Sequence, residues 1–586
     1  MSHAAHKPAA KIEAARRWLR RRGWLARWLP SRDQRSTLLW SLFAGLTGAV
    51  CVLSIRSALL GVQWLLTRST GTLIDTARAL PPWQRIATPA IGGLLAGLVV
   101  RYGQRFVRNQ AGTDYMEAVA VGDGVVRGRP ALLRTLASLL SIGSGGSLGR
   151  EGPLLQLASA ITSSAGRRAG LRPPRLPLMI ACAASAALAA TYHAPLGSSL
   201  FVAEIVLGSI AIESIGPLVV SSVVALAITR PILGGQAVFP ATVFRFDSVL
   251  ELPLHLLVGV ILGAAAPGFV ALLAAARASF AALRLAPPLQ LGLGGLIVGG
   301  ISVLVPDVWG NGHTALDTML RGDALGWTAL LLLLAAKLAA TLASVGSGAV
   351  GGVFTPTMLL GGLGGWFLGA VFQKVLPGHT AVPAAYALVG MGAFLAAATH
   401  APLTAVILAF EMTLNPDAIA PLMIATVSAY YVARGLGRNS IYTEQLRPSR
   451  SRTMHLLQVE TLQREAPPTV PADATLDRIA SAFARARAGV VAVVLPNRRV
   501  LGSIRIDGIQ PFLADADLCH LVTAGDLAAD TAETVPATAT LTEALAAFQK
   551  TGSPYLVVVD GPDGGHAVGL LSRRDLHLAL AHGTEW

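Results

Sequence analysis

Residues 143–153 read Gly-Ser-Gly-Gly-Ser-Leu-Gly-Arg-Glu-Gly-Pro, which sets Arg150 and Glu151 side by side between two long apolar runs. A charge at membrane depth costs about 2.5–3.5 kcal/mol on insertion scales, so it is retained mainly where it faces a pathway or a partner. The glycines permit a loop at that depth, and Pro153 suits the first turn of a following helix. Such a helix aims its unbonded backbone N–H groups back at the loop, which makes an anion site out of backbone. The same composition also describes a small-residue packing face between membrane helices. Both readings stand on these residues alone.

A second stretch, residues 346–356, has the same length, opens Gly-Ser-Gly and closes on Pro356. Later, Ala189-Ala190-Thr191-Tyr192-His193-Ala194-Pro195-Leu196 leads to Glu204, and Ala397-Ala398-Thr399-His400-Ala401-Pro402-Leu403 leads to Glu411. Each glutamate lies nine residues beyond its proline. The two motifs recur in one order at offsets of 203 and 207 residues, as a duplicated chain would have them. Duplicated halves in transporters are commonly inverted, which sets two loop–helix motifs face to face near the bilayer midplane. His193 and His400 have no second ligand at metal spacing, so they read as structural and no metal is expected. Glu204 and Glu411 read as groups that hold packing through hydrogen bonds.

Membrane helices must position these motifs. The 586-residue chain is 53% hydrophobic and 13% charged, with 61 glycines, a membrane composition with room for a second domain. Residues 36–67 form an apolar run broken only by Arg56, long enough for a tilted span. Many later apolar stretches are short or interrupted by glycine or proline, the pattern of broken half-helices around a binding site. Cys51, Cys182 and Cys519 are odd in number and read as free thiols. Segment 1–36 carries ten Lys or Arg against Glu13 and Asp33. It reads either as a helix on the inner membrane surface or as a mobile basic tail, and not as a cleavable signal. Arg434, Arg438, Arg447, Arg450 and Arg452 follow the last apolar run. Both termini are therefore expected in the cytoplasm, with the chain multi-pass in an inner cell membrane. Membrane flanks account for the net charge of +15, and no nucleic-acid partner is expected. With no Walker loop, metal-ligand cluster or Ser-His-Asp order, the chain does not read as an enzyme.

Composition changes near residue 444. Residues 444–466 read as a linker, and residues 467–586 as two similar α/β units. The first has a helical pattern over 476–487 and a valine-rich run over 489–495. The second has a helical pattern over 541–549, a strand over 555–559, and a strand from Val568 into Ser572-Arg573-Arg574-Asp575.

Over about residues 37–443 these motifs resemble the CLC family of chloride channels and proton–chloride antiporters. Gly149-Arg150-Glu151-Gly152-Pro153 is similar to its Gly-Arg-Glu-Gly-Pro signature, and Gly352-Val353-Phe354-Thr355-Pro356 to its Gly-x-Phe-x-Pro signature. The resemblance implies a mainly α, polytopic fold with an inverted repeat, about 37–230 and 250–443. It also implies a homodimer in the lipid bilayer, each subunit with its own chloride pathway. Glu151 then corresponds to the gating glutamate, whose carboxylate occupies an anion site until displaced or protonated. Arg150, Glu151 and Gly152 serve an outer site, and Val353, Phe354 and Thr355 a central one. Tyr442 resembles the family's inner tyrosine, though its position also suits an interfacial belt residue. Thr113, in Gly112-Thr113-Asp114-Tyr115-Met116-Glu117, stands where the family often has a serine, and Asp114 is a departure.

An ion moved into low dielectric costs on the order of 20 kcal/mol in the ideal limit. One helix end returns at most about 2 kcal/mol. Several converging donors must therefore share the task.

Antiporters of the family typically carry a proton-transferring glutamate where this chain has Ile205. That favours a glutamate-gated, voltage- or pH-sensitive chloride channel, with H+/Cl− exchange as the alternative. A membrane-anchored nucleotide sensor is a third reading. The tail resembles tandem CBS modules. Ser572 and Asp575 match their adenosine-ribose spacing, which is also an ordinary helix N-cap pattern. Adenine nucleotide is thus a candidate ligand of the tail, and no other cofactor is expected.

Overall fold

The computed structural model describes residues 32–103 and 114–442, apart from 121–123, 172–174, 209, 235–237, 240–250, 323–325 and 438. In the tail it describes 459–461, 466–485, 490–505, 509, 522–528, 534–551, 553, 555–561, 565–572 and 576. Thr113, Asp575 and the basic segment through residue 31 lie outside the described residues. The chain divides into a helical unit, Met1–Glu444, and a tail, Gln445–Trp586.

The first half of the helical unit runs α1 Arg32–Thr67, α2 Leu73–Ala79, α3 Pro82–Gly103, α4 Tyr115–Ala120, α5 Gly128–Gly143, α6 Glu151–Arg168, α7 Arg175–Tyr192, α8 Pro195–Phe201 and α9 Ile212–Leu233. The second runs α10 Leu252–Ala282, α11 Pro287–Leu304, α12 His313–Leu320, α13 Trp327–Gly346, α14 Phe354–Val375, α15 Pro383–Thr399, α16 Pro402–Thr413 and α17 Ile419–Leu436. Among the described residues, nine helices are long and apolar enough to cross a membrane. The helices that end or begin at the repeated motifs include shorter ones, α8, α15 and α16.

The duplication is visible in the backbone. α5 ends with Gly145 at φ +105° and α13 with Gly348 at φ +83°. In both, the next N–H reaches back five residues, Gly146 to the Ser141 carbonyl at 2.9 Å and Ala349 to the Ser344 carbonyl at 3.2 Å. This is a Schellman cap, whose left-handed residue is normally glycine. His193 and His400 are both left-handed as well, at φ +54° and +61°, just before the repeated Ala-Pro.

The halves run antiparallel where they meet. α3 packs on α11 with Gly97 against Pro288 and Pro89 against Gly295. A Cβ at Gly97 would strike the Pro288 backbone, so glycine sets how closely these helices approach. α16 caps α8, and the π-helical turn Val202–Val206 that continues α8 caps α16 in return. Glu411 accepts from Gly197 N at 2.7 Å and Leu196 N at 3.1 Å, at the start of α8. Glu204 accepts from Thr404 N at 2.9 Å and Thr404 Oγ1 at 2.7 Å, at the start of α16. Each carboxylate thus satisfies first-turn donors of the other repeat's helix, the packing role expected of both.

In the tail, β1 Thr469–Pro471, β2 Val490–Val494 and β3 Val500–Arg505 form one sheet, and β4 Thr534–Pro536, β5 Tyr555–Val559 and β6 Ala567–Ser572 another. Each first strand pairs parallel to the second, and the second antiparallel to the third. The parallel pair needs a crossover, supplied by α18 Leu476–Arg485 in one unit and α20 Leu541–Thr551 in the other, with α19 Ala524–Leu527 between the units. Val490, Ala492 and Val500 bury themselves with Val557, Val559 and Leu570, so the two sheets share a core. Val459 and Glu460, inside the stretch read as linker, donate to the Ala539 and Ala537 carbonyls at 2.9 and 3.0 Å, and Val459 is buried in the second unit's core.

Candidate functional site

The two glycine-rich loops meet. Gly149 N donates to the Gly352 carbonyl and Gly352 N to the Gly149 carbonyl, both at 2.7 Å. Ser147 N donates to Ser344 Oγ at 3.1 Å, tying the first loop to α13. This bridge brings the N-termini of α6 and α14 together, with their unbonded first-turn N–H groups.

Both helices begin earlier than proline alone suggests. α6 starts at Glu151 and α14 at Phe354, so Pro153 and Pro356 are third residues rather than first. The shift has no hydrogen-bond cost, because N–H groups throughout the first turn lack helical partners. It puts Glu151 itself at the opening of α6, with Arg150 as the capping residue.

The Glu151 side chain is 4% exposed. Its Oε1 accepts from the Tyr192 hydroxyl at the end of α7 and from the Thr355 hydroxyl in the first turn of α14. Those two hydroxyl oxygens are 2.7 Å apart. Glu151 Oε2 is buried with no hydrogen-bond partner among the described residues. The glycines make room for this carboxylate, since a Cβ on Gly352 would lie 2.7 Å from Oε2. A carboxylate and two hydroxyl donors therefore converge at the loop junction.

A file of rings leads away from it. Tyr192 lies 5.5 Å from Phe354, Phe354 5.6 Å from Phe201, and Phe201 5.7 Å from Tyr442, between centroids. Tyr442 stands at the far end of this file. On the other side is a cavity of about 690 Å³ lined by Arg56, Arg150, His193, Trp309, Asn311 and His313 among others. Neither Arg56 nor Arg150 has a carboxylate partner among the described residues, so the cavity carries net positive charge. Burial, with Arg150 and Arg56 adding to it, pushes the His313 imidazole down to about 4 and keeps it neutral. Lys337 on α13, fully buried, donates to the Val308 and Gly310 carbonyls at 3.0 and 2.7 Å and so fixes the loop that forms one wall.

Of the residues singled out from sequence, Arg150, Glu151, Gly152, Val353, Phe354 and Thr355 gather at this junction. Asp114 Oδ1 accepts from Met116 N at 3.0 Å and its carbonyl from Ala118 N at 3.0 Å, so it caps the short α4. Ile205 lies within a π-helical turn, Val202–Val206, and packs against the hydrophobic core. Ser572 closes β6, buried. Sequence motifs alone assign no role to Tyr192 or Arg56. Tyr192 had a signal, since it stands directly before the repeated His-Ala-Pro where the second copy has Thr399. Arg56 was the lone charge in its apolar run.

Residues 92–434 match the family model described as voltage gated chloride channel, and residues 524–582 match the CBS domain. A putative chloride channel protein ClcB-like from Ralstonia nicotianae is 44% identical over 416 residues, 70% of this chain and 97% of that protein. A voltage-gated ClC-type chloride channel ClcB from Salmonella dublin is 40% identical over 411 residues, 70% of this chain and 98% of that protein. Among solved structures, a slow cyanobacterial Cl−/H+ antiporter is similar at TM-score 0.63 and 26% identity, covering 71% of this chain and 97% of that one. A eukaryotic CLC transporter, at TM-score 0.62 and 19% identity, shares the fold over 92% of this chain and 97% of its own.

Proposed function

This chain belongs to the voltage gated chloride channel family, as a multi-pass membrane protein of chloride transport, and from that premise we propose that it conducts chloride passively through a route gated by Glu151. The carrying observation is the buried Glu151 carboxylate, held by the Tyr192 and Thr355 hydroxyls where the two loops meet. A hydroxyl can donate to either anion, a carboxylate oxygen or a halide. Glu151 thus acts as a tethered competitor for the anion's own donors. Chloride gathers in the cavity beside Arg56 and Arg150, and transfers to Tyr192, Thr355 and the first-turn N–H groups when Glu151 is displaced or protonated. Several modest donors replace a fixed cation, so the ion is bound without being trapped.

Ile205 supports the passive reading, because an isoleucine side chain, here half-buried against the core, carries no proton. The relatives named as chloride channels support it as well. Coupled H+/Cl− exchange is favoured instead by the 26% likeness to a Cl−/H+ antiporter. Paired chloride and proton flux from full-length protein in liposomes tests the choice. Uphill proton movement driven by a chloride gradient would overturn passive conduction.

We further propose a homodimer in a bacterial-type inner membrane with both termini cytoplasmic, and adenine nucleotide as a regulatory ligand of the tail at Ser572 and Asp575. A thermal midpoint of the full-length protein unmoved by ATP, ADP or AMP would remove the nucleotide.

A further inference from the structure

Away from the anion route, a groove of about 570 Å³ opens where α12 and α14 end and α13 and α15 begin. α13 starts at Trp327 and α14 ends at Val375, and both are among the helices able to cross a membrane. The groove therefore sits at the level where two spans reach the lipid headgroups. Trp327 lines it at 41% exposure, and Trp366 lines it almost fully buried. An indole is suited to that level, with an apolar body and one polar N–H.

Two cations flank the groove. Lys374 is exposed in the last turn of α14 and has no carboxylate partner among the described residues. Arg321 follows α12, and its Nε donates to Asp317 Oδ2 at 3.0 Å, which steadies the side chain. Its terminal amino groups have no partner among the described residues. A guanidinium fork and an ammonium around one recess are complementary to a phosphodiester. One turn along α13 from Trp327, Leu331 is 47% exposed on the same helix face. A free phosphate ion would use the cations alone. An indole and an exposed leucine below it suit a molecule with a charged head and a hydrocarbon tail.

We propose that this groove binds an anionic phospholipid, with Arg321 and Lys374 on its phosphate, Trp327 at the glycerol level and an acyl chain along Leu331. Delipidated full-length protein would be titrated with phosphatidylglycerol and, separately, phosphatidylcholine, and retained lipid counted by native mass spectrometry. Wild type should hold phosphatidylglycerol in preference. The R321Q/K374Q variant should lose roughly fivefold to thirtyfold of that retention, from about 1 kcal/mol per basic group near an anionic lipid, with Asp317 already offsetting part of the Arg321 charge. Retention of phosphatidylcholine, whose choline already compensates the phosphodiester charge, should fall much less. Lys374→Gln alone, an exposed change at a helix end, should lose roughly fivefold on the same basis, and it keeps the test usable if the double variant folds poorly. Equal retention of the two lipids, an unchanged preference in Lys374→Gln, or displacement of the lipid by inorganic phosphate would each overturn the assignment.

Discussion

Replacing Glu151 by alanine should leave chloride conduction nearly independent of pH. The size of the effect follows from its partners. Two hydrogen bonds to a charged acceptor contribute about 1.5–3 kcal/mol each. Removing a carboxylate from water takes back several kcal/mol, so the net hold on the shut arrangement is about 1–3 kcal/mol. That is a bias of about 5- to 150-fold, since about 1.4 kcal/mol is tenfold. The assay is chloride efflux from liposomes holding full-length protein, with valinomycin present so that potassium balances the charge. At neutral pH the Glu151→Ala efflux should exceed wild type by up to that factor. The ratio of efflux at acid pH to efflux at neutral pH should fall toward one. Glu151→Gln, which keeps the bulk and loses the charge, should fall between the two proteins. A Glu151→Ala protein with the wild-type ratio would refute the gating role, because the pH dependence would then survive the loss of that carboxylate.

Other side chains give separable outcomes. Tyr192→Phe deletes a donor that Glu151 and the anion share, so efflux at acid pH should fall and the acid-to-neutral ratio should narrow by up to about tenfold, less than in Glu151→Ala. Tyr442→Phe, at the far end of the ring file, should change the pH profile less than Tyr192→Phe does in the same assay. Arg56→Gln should lower efflux several-fold at low ionic strength, with the deficit shrinking as salt screens the cavity. His313, already neutral above about 4, gains charge only as pH falls through that value. His313→Gln should therefore leave the pH profile near neutrality unchanged. Glu204→Gln and Glu411→Gln each weaken one of two reciprocal caps, at about 1 kcal/mol apiece. Thermal unfolding in detergent should register similar losses for both, and a loss in only one would contradict the reciprocity.

What could be read from the chain alone divides along the distance between partners. Gly145 and Gly348 announce their left-handed caps within a few residues, and the Pro195–Glu204 spacing recurs at Pro402–Glu411, so the duplicated frame was legible. The family signatures likewise marked Glu151 and Thr355. That the two groups bond, across 204 residues, depends on the loops closing through Gly149 and Gly352. Tyr192 was harder still. A tyrosine at the end of an alanine-rich helix is ordinary core by composition, and only the fold turns its hydroxyl onto Glu151. Asp114 reads from sequence only as a departure near an anion route, and the fold adds that its Oδ1 accepts from Met116 N as a cap of α4. Inverted duplication supplies two similar loops, but a single ion needs unlike neighbours on its two sides. The departures from the repeat, Glu151 against Phe354 and Tyr192 against Thr399, are therefore where the chemistry should be sought, and the most faithful repeats, such as Glu204 and Glu411, are where the scaffold is held.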